Sequence, residues 1–160
     1  MPHHHPRRCM RVTLVEMPLP AIAGLRQPFT ADVHQLASLM YSAYRGTVDD
    51  EGESEADALV EVQKTFAGAY GSFVPSCSAV VERGGRLLSA TLVTRWQDRP
   101  FVAFSMTEPS SKRTGLARAC MMTAMSRLHA AGERELGLVV TLANLPALNL
   151  YTSLGFVVGE

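Results

Sequence analysis

An α/β fold in a single domain is what this sequence predicts, and three observations carry that reading. The chain has 160 residues, the length of one compact domain. Short apolar runs bounded by Gly, Pro and polar residues alternate with stretches whose apolar residues recur every three or four positions. Taken in order these read β-α-α-β-β-β-α-β-α-β, the alternation of a layered α/β domain. A chain of this size buries roughly 70% of its unfolded surface, and a hydrophobic fraction of 47% is that of a globular protein, neither disordered nor fibrous.

Residues 1–9, with His3, His4 and His5 between Pro2 and Pro6, are expected as a flexible tail, and residues 10–160 as the folded domain. Three adjacent imidazoles on a loose end read as a solvated tail rather than a metal site. Met10 to Met17 alternates well enough for a first strand, and Pro18 and Pro20 stop it. From Thr30, a candidate cap, apolar residues fall at Val33, Leu36, Ala37, Met40 and Tyr44, the period of a helix. An acidic stretch follows from Gly46 to Glu55. Ser54 with Asp57 then forms a capping box for a second helix marked by Leu59, Val62, Phe66 and Tyr70. Cys77 to Arg83 and Arg86 to Arg95 are strands joined by Gly84-Gly85, two residues that both accept positive φ. Phe101 to Met106 is a nearly continuous apolar run, the pattern of a strand covered on both faces. Leu116 to Ala131 is a third helix stopped by Gly132. Leu136 to Leu142 is another strand, Pro146 to Leu154 a short helix ended by Gly155, and Phe156 to Val158 begins a last strand.

Composition excludes several functions. Fifteen basic residues balance fifteen acidic ones, so the positive surplus of a nucleic-acid binder is missing. No apolar run approaches the ~18 residues of a membrane span, and Arg11 and Glu16 interrupt any signal-like core. Cys9, Cys77 and Cys120 form neither an even framework nor a CxxC pair. A reduced cytoplasmic protein without a metal, nucleic-acid or membrane partner is the expectation.

Two segments carry chemistry. Residues 106–117 run from a strand end through Thr107, Glu108, Pro109, Lys112, Arg113, Thr114 and Gly115 into the third helix. The first turn of a helix has unpaired N–H groups and a positive dipole end. Gly115 and Ala117 keep side chains small there, and Lys112, Arg113 and Arg118 add charge, which makes an anion site. Neither a P-loop nor a dinucleotide fingerprint has this spacing. In the second segment, residues 144–156, Asn144 caps, Pro146 suits the first turn and Gly155 terminates.

Together the two segments resemble the GNAT superfamily of acyl-CoA-dependent N-acyltransferases. Asn144, Ala147, Leu150, Tyr151, Leu154, Gly155 and Phe156 match that family's N-x-x-A-x-x-L-Y-x-x-L-G-F pattern. Thr107, Pro109, Gly115 and Ala117 fit its [VT]-x-P-x-x-[QR]-x-x-G-x-[GA] acyl-CoA loop, with Lys112 where Gln or Arg is usual. The resemblance is sharp over residues 101–156 and topological before that. It implies a mixed sheet with helices on both faces, whose fourth and fifth strands splay to admit the pantetheine arm of acetyl-CoA. The strand from Phe104 through Met106 to Thr107 is then implied to bond that arm, and Arg113, Thr114, Gly115, Leu116 and Ala117 to hold the pyrophosphate, with Lys112 and Arg118 beside it. Asn144 is implied to contact the pantetheine side. The implied reaction is direct attack of a primary amine on the thioester in a ternary complex, through an oxyanion held by a strand N–H. Tyr151 is implied to donate a proton or a hydrogen bond to the departing thiolate.

The base is harder to place, because residues 101–106 contain no acid. Glu108 is the candidate just beyond, although Lys112 could hold it as a solvated ion pair. Asp49, Asp50 and Glu51 lie between the first two helices, a wall of the acceptor site in this family, where carboxylates attract a cationic amine. Tyr44 and Trp96, with Tyr41, Phe73 and Phe101, are candidate aromatic walls. Cys120 reads as packing, and no motif ties a His to any cysteine, so a covalent cysteine route is disfavoured. The acceptor expected is a small amine. A protein lysine or amino terminus is the alternative within the enzyme class, and a non-catalytic acyl-CoA-binding domain the alternative outside it. Relatives follow Gly-Phe with two strands, whereas one short strand fits before Glu160. With the final strand missing, an uncovered edge would remain, which suggests a homodimer.

Overall fold

Turn and cap chemistry set the element boundaries. The computed structural model describes residues 5–159; residues 1–4, most of the expected tail's His run among them, and Glu160 lie outside the described residues. The elements are β1 (Arg7–Thr13), β2 (Leu25–Arg26), α1 (Val33–Tyr44), α2 (Glu55–Phe66), β3 (Ser72–Phe73), β4 (Ala79–Arg83), β5 (Arg86–Trp96), β6 (Arg99–Thr107), α3 (Leu116–Ala130), β7 (Glu135–Thr141), α4 (Leu145–Ser153) and β8 (Val157–Val158). The box at α2 forms as expected: Asp57 N donates to Ser54 Oγ at 3.1 Å, and Ser54 N to Asp57 Oδ2 at 2.8 Å. Gly84 and Gly85 take φ of 59° and 76° between β4 and β5. Thr30 does not cap α1. It begins a 3-10 turn, and Phe29 N donates instead to Asp32 Oδ2 at 2.7 Å, a carboxylate that Arg26 grips at 2.8 and 2.9 Å.

The strands form one mixed sheet in the order β2-β4-β5-β6-β7-β1-β8, with β3 also pairing β5. Helices α1 and α2 pack one face through Leu36, Met40 and Val62 against Val80, Leu87, Leu92 and Met106. On the other face, Met121, Met125 and Leu128 of α3 pack on Met10, Val12, Leu136, Leu138 and Val140, joined by Tyr151 and Phe156. Strands β6 and β7 are parallel and pair at a single register position, Phe101 with Gly137. Beyond it they part, so the expected splay is present.

Two expectations about the ends change. The first strand starts at Arg7, not Met10, so residues 7–9 of the expected tail are paired with Val139–Thr141 of β7. Leu142 N adds a bond to Pro6 O at 2.9 Å. The edge expected to lie uncovered is therefore occupied: β1 runs antiparallel to β7 along its whole length and pairs β8 on its other side at Met10–Val158 and Arg11–Val157. The uncovered edge that suggested a homodimer is thereby moved out to the two-residue β8, whose Val157 and Val158 are exposed.

Candidate active site

The splay opens a cavity of about 820 Å³ between β6, β7, α4 and the α1–α2 connection. Phe101 to Ser105 line one wall, Leu138 to Thr141 the other, and Tyr151 and Ala147 of α4 close one end. The facing wall comes from Tyr44 and the segment holding Asp49, Asp50 and Glu51.

Tyr151 is 8% exposed, with its ring 5.9 Å from that of Phe156. Burial pushes its phenol above the ordinary value, the Ser105 hydroxyl works against that rise, and the charge of Asp49 adds to it. Tyr44 comes from the opposite side and donates to Ser105 O at 3.4 Å. Burial raises its pKa too, with Tyr151 and Asp49 contributing. Both phenols therefore keep their protons at neutral pH and can donate hydrogen bonds.

Asp49 is the acidic residue that reaches this centre. Its Oδ1 accepts from Thr141 Oγ1 at 2.6 Å and its Oδ2 from Asn144 Nδ2 at 3.0 Å. Asn144 Oδ1 also caps α4 by accepting from Ala147 N at 3.3 Å, which leaves its second N–H free to donate. An ionised carboxylate has about four acceptor positions, so Asp49 keeps capacity toward the cavity. Asp50 and Glu51 differ. Asp50 accepts from Gly46 N and Gly52 N, both at 2.8 Å, which holds its carboxyl below the usual range and shapes the loop. Glu51 pairs with Arg7 at 3.6 Å on the exposed rim.

Glu108 is not brought to the cavity. It accepts from Ser110 at 2.6 Å and Ser111 at 3.2 Å and pairs with Arg86, not Lys112, at 3.2 Å. The Ser110 bond is the main reason its carboxyl sits below the usual range. Cys77 and Cys120 are buried and free, the thiol of Cys120 pushed up to about 12 by burial, so neither is a ready thiolate. Among the described residues there is no cluster of three or more His, Cys, Asp or Glu arranged for a metal, and no helix is long and apolar enough to cross a membrane.

The anion loop lies at the amino end of α3, apart from the cavity lining. Gly115 is the cap residue at φ 84°, no side chain caps the helix, and Arg113 is also left-handed at φ 67°. A Cβ at Gly115 would meet nothing within 4 Å, so the space beside the cap is open, and no side-chain cap occupies the first-turn N–H groups. Lys112, Arg113 and Thr114 are exposed around it, while Arg118 donates to Ser153 Oγ of α4 at 2.8 Å. Leu116 is a core side chain, so only its backbone can serve this cradle. Along β6, Phe104 lines the cavity; Met106 is 2% exposed in the core and Thr107 is bonded to Ser89 at 2.9 Å, which leaves both only their backbone. An uncapped cradle with three cations nearby, next to a parted strand pair, fits a pyrophosphate carrying an extended arm.

Trp96 sits away from the reactive end, 48% exposed. It lines a second cavity of about 370 Å³ with Glu61, Tyr70, Phe101, Ala103 and Phe104. Sequence reasoning missed Thr141, Glu61 and Tyr70, and gave Ser105 only as part of the backbone from Phe104 to Thr107. No motif marks them, because they join the site through strand register, the face that α2 turns to the cavity, or the path of the chain after α2.

Comparisons with known proteins agree with this geometry. The profile of the acetyltransferase (GNAT) family matches residues 33–156. No curated protein matches the chain. Among solved structures, a GCN5-related N-acetyltransferase from Sphaerobacter thermophilus superposes with a TM-score of 0.73 at 17% identity, over 96% of this chain and 48% of that one. A putative acetyltransferase of the GNAT family from Novosphingobium aromaticivorans gives 0.62 at 19% identity, over 97% and 61%. An aminoglycoside antibiotic 6'-N-acetyltransferase from Acinetobacter haemolyticus gives 0.62 at 16%, over 85% and 92%. The chain thus spans about half to three-fifths of the length of the first two, and these likenesses concern the fold.

Proposed function

This chain belongs to the acetyltransferase (GNAT) family of acyl-CoA-dependent N-acyltransferases, and from that premise we propose that it moves an acetyl group from acetyl-CoA to the primary amine of a small molecule. The observation that carries the proposal is the convergence of Asp49, Tyr44, Tyr151 and Ser105 on one cavity in the strand splay. The donor supplies a thioester, and the α3 cradle with Lys112 and Arg113 is suited to its pyrophosphate.

The chain's own residues then divide the work. Asp49, held by Thr141 and Asn144, receives the acceptor's ammonium and takes up its proton directly or through a water. The freed nitrogen lone pair forms the new C–N bond, and the tetrahedral adduct then collapses with cleavage of the C–S bond. The nitrogen's surplus proton passes through water to the departing thiolate, which leaves as a thiol. A backbone N–H at the parted edge of β6 stabilises charge developing on the carbonyl oxygen. Tyr151, a phenol that burial keeps protonated, donates to the departing sulfur. A free phenol at about 10 is a weaker acid than a thiol at about 8.5, so a strong hydrogen bond rather than complete transfer suffices. Ser105 and Tyr44 position that hydroxyl.

The acidic rim supports a cationic acceptor. The cavity is lined by Asp49, Asp50, Glu51, Glu53, Asp57 and Glu61 against Arg7, Arg45 and Lys64, an excess of negative charge that draws in an ammonium ion. The test is thiol release from acetyl-CoA across an amine panel, with calorimetry of donor binding as the control. Asp49→Asn is expected to raise the amine's KM at least about tenfold, the worth of one charge-assisted bond. An unchanged KM removes Asp49 from the role, and donor binding without turnover on any amine favours a non-catalytic acyl-CoA-binding domain.

A further inference from the structure

The second cavity adjoins the first, since Glu61, Phe101, Ala103 and Phe104 line both. Its walls are chiefly aromatic. Tyr70 meets the Phe104 ring edge-on at 6.2 Å and donates its hydroxyl to Glu61. Trp96 ends β5, where the hairpin residues Gln97 and Asp98 take φ of 53° and 61°, and its half-exposed indole faces the cavity. Gly71 sets the spacing. At φ 94°, an ideal Cβ there would lie 1.9 Å from Arg95 O, so only glycine lets the chain after α2 lie against β5 beside Trp96. Phe104 also packs against the core beneath α1 and α2, whereas Tyr70, Trp96 and Phe101 belong to none of the core clusters among the described residues.

We propose that this alcove seats a flat aromatic ring of the acceptor, making the acceptor an arylalkylamine, a proposal that rests on the acetyl-transfer reading above. Aromatic walls stack or meet edge-on with a ring. A second ammonium group is the poorer occupant, since Glu61 already accepts from Tyr70 and lies 3.9 Å from Lys64 Nζ. The reach also fits. With a rise of about 3.3 Å per residue, Phe104 and Phe101 lie roughly 3 to 13 Å along β6 from Ser105, which adjoins Tyr151. A ring joined to its amine by about two to four carbons spans the nearer part of that distance.

Trp96 is the single tryptophan, so its emission reports occupancy of the alcove without any turnover. The experiment titrates the protein with 2-phenylethylamine, 3-phenylpropylamine, n-butylamine and 1,4-diaminobutane, following Trp96 fluorescence and, separately, thiol release from acetyl-CoA. The arylalkylamines are expected to shift the emission saturably and to bind at least about tenfold tighter than n-butylamine. Tyr70→Ala should narrow that ratio at least about threefold. Trp96→Leu, measured by calorimetry and lying on the surface, gives the same reading should Tyr70→Ala fail to fold. Emission unmoved by saturating arylalkylamine, or equal or tighter binding of the diamine, overturns the alcove. Acetylation of all the amines without ring preference overturns the alcove and leaves the proposed function standing. An emission response without acetylation of any amine does the reverse.

Discussion

Replacing Tyr151 with Phe separates chemistry from structure at this site. The ring is 8% exposed and packs against Phe156, and Phe preserves that contact. What leaves is one hydroxyl beside Ser105. The lost neutral hydrogen bond is worth about 1 kcal/mol, and the removed need to desolvate a hydroxyl offsets part of it, so stability should change by less than about 1 kcal/mol. Loss of a positioned proton or hydrogen-bond donor slows the chemical step by about a hundredfold to ten-thousandfold, or about 2.7 to 5.4 kcal/mol of barrier. The barrier effect exceeds the stability effect and appears in kcat. The assay is single-turnover thiol release at saturating amine, with thermal unfolding of both proteins beside it. In the pH profile, a raised pKa keeps Tyr151 protonated, so it contributes no descending limb below about pH 10. An unchanged rate constant would refute the donor role, and a descending limb near neutrality that Tyr151→Phe abolishes would refute the raised pKa.

Three further outcomes are expected. Gly115→Val forces a β-branched residue to φ 84°, which costs about 1–2 kcal/mol; calorimetry should show donor affinity falling about tenfold, and unaltered affinity would mean the backbone cradle is not used. Met10 is 2% exposed between β7 and α3, so Met10→Ala should cost about 2–5 kcal/mol and lower Tm by roughly 10 °C; a shift under about 2 °C would deny β1 its structural part. Burial raises the folded-state pKa of Tyr44, Tyr151 and Cys120. The unfolded chain therefore ionises first, and stability should hold below about pH 8.5 and fall as pH rises through about 10; denaturant melts with a flat profile to pH 11 would contradict that burial.

Much of the fold was legible because it rests on short-range signals. Gly84-Gly85, the Ser54–Asp57 box, Gly132 and the Asn144 cap each solve a local backbone problem, and each appears where expected. β1 was misplaced for the opposite reason. Arg7, Arg8 and Cys9 are polar or exposed along it, and a strand whose outward face is charged declares itself only through its partners. The missing carboxyl-terminal strand and the apparent tail are two views of one pairing, β7 with β1, which lies far outside any sequence window.

The site divides along the same line. Tyr151, Asn144 and the Gly115 loop were readable because their roles depend on helix ends, where residue type and spacing are tied to unpaired backbone groups. Among the acidic residues the sequence could say only that Asp49, Asp50 and Glu51 lie together. Tertiary structure assigned them different work: Asp50 is consumed by the turn of its own loop, Glu51 by Arg7, and Asp49 alone of the three meets Thr141 and Asn144. Glu108 was the reverse case, near in sequence to the anion loop and turned in space toward Arg86. The order of elements and the donor loop thus follow from local chemistry written along the chain. Which carboxylate faces the amine, and which rings could face its far end, depend on the parting of β6 from β7, because only that separation brings residues distant in sequence to a common space.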